Sequence, residues 1–293
     1  MSIKQRLKQY PSLYLSLMRG LNTVNYFNIR FNLFFPSYHQ SESWKNRTET
    51  VLESPDNELI PRVDNAGKLL KNYQIMHNGL KITLGSYYDY GNTILLQQNK
   101  GVHEPQEEYV FQEVLKQIPA EGSMMELGSY WAFYSMWFAS HVKDARCYMV
   151  EPDPHKINFG QLNFKLNKLK GHFLLGFIAD LYKKGSIPQY SVDYLMDHLQ
   201  LDKLNILHSD IQGYEVKMLE GSVQTLSAKK IDFLFISTHS NDLHQQCLNL
   251  LNGYGYRILC EANLDESYAV DGLIVAASPA VTIKPLTISK RNK

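Results

Sequence analysis

The chain has 293 residues, 44% of them hydrophobic and 20% charged, which is enough apolar material for the core of one large α/β domain and excludes a disordered chain. Lys and Arg number 30 against 29 Asp and Glu, a formal charge of +1, so the global basic footprint of a nucleic-acid binder is absent and no nucleic-acid partner is expected. Cys147, Cys247 and Cys260 lack CxxC spacing; they read as reduced thiols, not as a disulfide framework or zinc site, and point to the cytoplasm.

No apolar run approaches the roughly 18 residues of a membrane span, so no integral membrane segment is expected. Lys4, Arg6 and Lys8 precede a short uncharged run, but Pro11 interrupts it and Arg19 follows where a signal peptide would carry a small-residue cleavage site.

Residues 1–65 read as an aromatic-rich cap and linker. The first 50, with Tyr26, Phe27, Phe31, Phe34 and Phe35, are predicted to be partly helical and to pack on the main domain or on a second copy, making a homo-oligomer through this cap. The stretch 51–65, with Pro55 and Pro61, reads as the linker. Residues 66–104 read as a hairpin extension, because Asn78-Gly79 separates two apolar-rich runs at 73–76 and 80–84. A further strand is predicted over 93–97.

From 105 to 280 helices and strands alternate. Pro105 opens a helix whose first turn holds Gln106, Glu107 and Glu108, as the helix dipole prefers, with Val110, Phe111, Val114, Leu115 and Ile118 on its apolar face. Strands are predicted over 123–126, 145–151, 173–179, 204–209 and 233–237. Helices are predicted over 131–141, from the Asp153-Pro154 cap, and over 192–199, 213–226 and 242–252. The runs 257–260 and 273–276 are joined by a connection too short for a helical crossover and should pair antiparallel. The pattern is a doubly wound, Rossmann-like α/β sheet with a terminal antiparallel pair, followed by a basic tail over 281–293.

Ligands of such sheets bind outside the carboxyl ends of the strands. Gly128, after the first strand, permits a tight turn through Ser129 and Tyr130, and Glu151-Pro152 ends the second strand with an acid able to accept ribose hydroxyls. Together they describe an adenosine site; alone, Glu151-Pro152 would be an ordinary helix lead-in and Glu126 a surface acid. The turn lacks G-x-G-x-x-G, which disfavours a dinucleotide. S-adenosylmethionine has no pyrophosphate, and Glu126 could hold its ammonium group, with Asp180 at the adenine.

On the fourth and fifth strands, Asp210 and His239 would lie close together and could remove a proton from a hydroxyl. The plainer alternatives are a helix cap for Asp210 and a backbone bond for His239. Glu215 suits the dipole of its helix, or with Asp210 and His239 completes an oxygen/nitrogen site for a hard divalent ion such as Mg2+. Glu104 and Glu107 could close over the site or simply start a helix.

These residues together resemble the FkbM family of S-adenosylmethionine-dependent methyltransferases, over about 101–278. Glu126-Leu-Gly-Ser stands in the place of the first motif and Val150-Glu151-Pro152-Asp153 in that of the second, while Ser191-Val-Asp193-Tyr-Leu is similar to the family's Thr-Leu-Asp segment. His208-Ser-Asp210-Ile-Gln-Gly213-Tyr-Glu215, with Leu219 and Gly221, resembles Lys-Ile-Asp-Val-Glu-Gly-x-Glu followed by Leu-x-Gly, and Ser237-Thr-His239 falls where Glu-x-His is common. Ser129-Tyr130-Trp131 replaces Ala-Asn, Phe133 the second glycine, Gln212 a Glu and His208 a Lys.

The resemblance implies O-methylation, often of sugars or glycosylated and polyketide products, hence a small-molecule or glycan acceptor. A non-catalytic glycan- or partner-binding module that keeps the fold is the competing reading, drawn from the altered first motif. A nucleotide-sugar glycosyltransferase would need a DxD-type motif, and Asp193-x-x-x-Asp197 lacks that spacing.

Overall fold

The computed structural model describes residues 41–70, 72–88 and 90–291, together with Leu13, Ser16 and Leu17. The cap expected over 1–50, and a homo-oligomer built through it, therefore lie outside the described residues up to position 40.

In chain order the elements begin with helix α1 (Glu42–Leu52), a 3-10 turn (Pro55–Leu59), the strands β1 (Tyr73–Ile75) and β2 (Lys81–Thr83), and helices α2 (Tyr90–Gln98) and α3 (Pro105–Leu115). The sheet then alternates with helices: β3 (Ser123–Leu127), α4 (Phe133–His141), β4 (Arg146–Glu151), α5 (Pro154–Leu166) and β5 (His172–Leu175). A short pair, β6 (Phe177–Ile178) and β7 (Gln189–Tyr190), precedes α6 (Val192–His198) and β8 (Leu204–Ser209). The chain continues through α7 (Glu215–Glu220), α8 (Val223–Ser227), β9 (Ile231–Thr238), α9 (Asn241–Gly253), β10 (Arg257–Ala262) and β11 (Gly272–Ala277).

Seven strands form one sheet in the order β10-β11-β9-β8-β3-β4-β5. Only β11 runs against its neighbours, so the predicted terminal antiparallel pair is present, with β11 inserted between β10 and β9. The near-continuous apolar strands follow from burial on both faces. Alternation divides them: Met124, Ile206, Phe233 and Phe235 pack with Phe111, Phe133 and Trp137 on one face, and Met125, Leu127, Leu207 and Leu234 pack with Leu195 and Met218 on the other.

The hairpin forms as expected, β1 antiparallel to β2. Four expectations change. Residues 93–97 are helical within α2, with Leu95 and Leu96 fully buried, since an apolar run without alternation does not distinguish strand from helix. The stretch 51–65 is no free linker: Val51, Asp56 and Ile60 are buried, and the Asp56 carboxylate accepts the Ser289 N–H, which pins the C-terminal tail. The predicted strand 173–179 breaks at Gly176, where a Cβ would stand 2.3 Å from the Tyr190 ring. The predicted helix 213–226 breaks after α7, where Gly221 lies against the Ala179 carbonyl.

The acids that open α3 do more than suit the helix dipole: they are buried. Glu108 is fully buried, accepts the His103 and Glu104 N–H groups, and pairs with His103 Nδ1 at 2.6 Å and His77 Nε2 at 3.1 Å. Glu107 pairs with His208 Nε2 at 2.7 Å. All three cysteines are buried and free, and no helix among the described residues is long and apolar enough to cross a membrane.

Candidate active site

The site begins where β3 ends. Gly128 has φ +75°, and a Cβ there would stand 1.8 Å from the Asp210 carbonyl oxygen, so only glycine lets the turn after β3 abut the end of β8. The Gly128 and Ser129 N–H groups donate to the Val150 carbonyl at 2.9 and 3.1 Å. Tyr130 (φ 41°) and Ala132 (φ 59°) are left-handed, which turns the chain sharply before α4.

That turn separates two bulky neighbours. Trp131 is buried away from the sheet edge, stacked on Tyr87 at 4.2 Å. Tyr130 stays at the edge: its hydroxyl accepts the Tyr88 N–H at 3.1 Å, and Lys156 Nζ sits 4.4 Å from its ring centre.

Between these ends lies a cavity of about 210 Å³. Gly128, Tyr130, Glu151, Pro152 and Asp210, all expected at a cofactor, line it, with Tyr88, Phe177 and Ile178 as apolar walls. The buried Glu151 carboxylate accepts the Tyr130 N–H on Oε2 at 3.1 Å and the Asp153 N–H on Oε1 at 3.0 Å. Burial pushes its carboxyl up, opposed by those bonds and by Lys156.

Three expected cofactor residues lie elsewhere. Ser129 is buried beside the cavity and does not line it. Glu126 is buried and accepts the Ser135 N–H at 3.0 Å, so it caps the start of α4; burial pushes its carboxyl up to about 7. Asp180 pairs with Lys217 at 3.2 Å on the surface, because the break at Gly176 gives the wall to Gly176, Phe177 and Ile178 instead.

Asp210 also belongs to a second group. The pairing of β8 with β9 brings His239 to it: Nε2 lies 3.3 Å from Asp210 Oδ1, 3.5 Å from Asp271 Oδ1 and 2.7 Å from the Gln212 amide. On its other side, His239 Nδ1 meets Glu215 Oε1 at 2.7 Å. Burial alone would lower the imidazole, but the surrounding carboxylates raise it to about 10; the cation requires the Gln212 amide to turn its oxygen, not its nitrogen, toward Nε2. For Asp210 burial pulls upward, and the bond and charge of His239 outweigh it and hold the carboxyl low. Burial pushes Asp271 up to about 7 despite His239.

Sequence reasoning looked for acids at the carboxyl ends of parallel strands and so missed Asp271. It precedes the antiparallel β11, whose first residue Gly272 pairs with Thr238, and an antiparallel strand presents its start at this edge of the sheet. Asp210, His239 and Asp271 offer one ligand atom each within 4.8 Å of one another, two oxygens and a nitrogen of the kind that suits a hard divalent ion. The expected third member, Glu215, is instead fully buried behind His239, where it also accepts the Gly213 N–H. Glu104 and Glu107 lie beside Asp271 around a small void.

Residues 171–258 match the family described as the Methyltransferase FkbM domain. No curated protein matches the chain. Solved structures that align with it include Precorrin-6y C5,15-methyltransferase from Geobacter metallireducens, at 11% identity and TM-score 0.40, over 58% of this chain and 87% of that one. The tRNA (uracil-54, C5)-methyltransferase of Pyrococcus abyssi in complex with S-adenosyl-L-homocysteine aligns at 12% identity and TM-score 0.38, over 58% of this chain and 37% of that one. Aeropyrum pernix fibrillarin with natively bound S-adenosyl-L-methionine aligns at 14% identity and TM-score 0.40, over 54% of this chain and 67% of that one.

Proposed function

We propose, from the premise that residues 171–258 are an FkbM methyltransferase domain, that the protein is an S-adenosylmethionine-dependent methyltransferase acting on a hydroxyl oxygen of a sugar or glycosylated product. The observation that carries the reading is that the cavity and the carboxylate–imidazole cluster share Asp210: a nucleoside in the one would bring its reactive end to the other.

The residues present fit the cofactor. Each Glu151 oxygen accepts one backbone N–H and keeps a lone pair for a ribose hydroxyl. Phe177 and Ile178 give apolar faces for a base, and Gly128 lets the turn after β3 close onto the end of β8. When bound, the cofactor supplies an electrophilic sulfonium methyl group.

The chain's own part is to hold the acceptor oxygen in line and take its proton. His239 already carries a proton at neutral pH, so the base role passes to Asp271, whose carboxyl near 7 suits it. The His239 cation, fixed from behind by Glu215, keeps Asp210 ionised and both carboxylates in place. Tyr88 and Tyr130, which line the cavity, would pack against a sugar. An ion such as Mg2+ on Asp210, His239 and Asp271 would have to displace that proton.

Calorimetry with S-adenosylhomocysteine tests the cofactor, and transfer of labelled methyl groups to a panel of glycans tests the acceptor. Micromolar binding that Glu151→Ala abolishes supports the reading. A wild-type protein that ignores the ligand sinks it and favours the non-catalytic binding module.

A further inference from the structure

Helix α1 packs, through Arg47, behind Tyr88, a wall of the cofactor cavity. It is seated by Trp44, whose ring fills the space a Cβ on Gly91 would need. One turn on, the Arg47 guanidinium carbon lies 5.1 Å from the Trp44 ring centre and 5.8 Å from that of Tyr88, which is itself a cavity wall.

One nitrogen of this arginine, Nε, lacks a partner, although its charge faces Glu104 and the Tyr87 hydroxyl. Its closest carboxylate oxygen, Glu104 Oε1, is 4.0 Å away, beyond hydrogen-bond reach. Glu104 is already served by His103 Nε2 at 3.2 Å and by the Tyr134 hydroxyl at 3.1 Å. The Tyr87 hydroxyl is a polar neighbour of the guanidinium, but Arg47 Nε is buried with no hydrogen-bond partner. An N–H of a charged group left unpaired in the interior is costly, and a planar guanidinium held against two rings is prearranged for an anion.

We propose that Arg47 receives the α-carboxylate at the amino-acid end of S-adenosylmethionine. The inference rests on the cofactor reading above. That cofactor carries one carboxylate, and the acid expected at its amino-acid end, Glu126, is committed to the start of α4. Arg47 stands by Tyr88, whose ring lies 5.7 Å from that of Tyr130 in the turn that leads from Gly128, and supplies a charge of the right sign. The same chemistry would suit the carboxylate of an acidic acceptor, and the test separates the two.

The experiment compares S-adenosylhomocysteine with 5′-methylthioadenosine, which lacks the amino-acid end, by calorimetry on wild type, Arg47→Ala and Arg47→Lys. Arg47→Ala is expected to weaken S-adenosylhomocysteine by roughly 10- to 100-fold, the range of a lost charge-assisted pair. It should leave 5′-methylthioadenosine unchanged, which also reports an intact cavity, and Arg47→Lys should recover part of the loss. Unchanged affinity for S-adenosylhomocysteine, or equal weakening of both ligands, overturns the assignment. A raised KM for an acidic acceptor alone gives the arginine to the acceptor. A wild-type protein that binds neither ligand removes the cofactor reading and this assignment with it, whereas S-adenosylhomocysteine and 5′-methylthioadenosine that both bind every variant as tightly as wild type keep that reading and remove the assignment.

Discussion

Gly128 and the Asp210 carbonyl oxygen are in such close contact that a single added Cβ would stand 1.8 Å from that oxygen. The contact joins the turn after β3 to the end of β8, and both residues line the same cavity. Gly128→Ala must therefore move Asp210 or rotate the turn out of its left-handed conformation, which costs about 1–3 kcal/mol in backbone strain alone. The expected outcome is a lowered melting temperature together with at least a roughly tenfold loss of S-adenosylhomocysteine affinity. Wild-type affinity in this variant would show that the contact does not shape the cavity.

Asp271 carries a second prediction. It sits in the cluster with Asp210 and His239, and it does not line the cavity beside Gly128. Asp271→Asn keeps its shape and removes its capacity to take a proton. Methyl transfer in single-turnover measurements should slow by about 100-fold or more, the usual contribution of a general base, while S-adenosylhomocysteine affinity stays as it was. Full turnover in the variant would return the base role to another group.

A third prediction concerns metal. A histidine ligand must be neutral to coordinate, and His239 is held among carboxylates that keep it charged up to about 10. Its proton offsets part of the negative charge of Asp210, Glu215 and Asp271. Methyl transfer is expected to survive dialysis against EDTA. Loss of activity that Mg2+ restores would turn Asp210, His239 and Asp271 into a metal centre.

The sheet was legible because its signals are local. Apolar runs, the Asp153-Pro154 cap and the Asn78-Gly79 turn each act within a few residues, and the structure repeats them, down to the Asp153 side chain accepting the His155 N–H. Gly128, Glu151 and Asp210 were legible for a related reason, since strand ends converge on one edge of an α/β sheet. What stayed hidden is long-range. Asp271 meets His239 only because β11 runs antiparallel beside β9, and Arg47 meets Tyr88 only because Gly91 seats Trp44. Asp180 lost its place because Tyr190 breaks the strand at Gly176. Glu108 read as a dipole partner in a first helical turn because nothing nearby in sequence announces that His77 will pack against it.

That buried group sets a pH dependence of stability. Burial alone would lower His103, but Glu104 and Glu108 outweigh it and raise the imidazole from 6.5 to about 10. Burial alone would raise Glu108, and His103 with His77 outweigh that and hold it far below its ordinary 4.5. A raised histidine adds stability that is full below its unfolded value and lost as pH climbs through the folded one; a depressed carboxyl adds stability that is full above its unfolded value and lost as pH falls. The group therefore stabilises most between 4.5 and 6.5 and weakens steadily from 6.5 toward 10, with His239 acting in the same direction. Urea midpoints measured across that range should fall on the alkaline side for the wild type. In His103→Gln, which carries no titrating ring, that decline should be shallower, with the parts due to His239, His208 and the raised carboxyls of Asp271 and Glu126 remaining. An identical alkaline slope in the two proteins would mean that His103 binds no more protons folded than unfolded, and that the pair with Glu108 is not ionic.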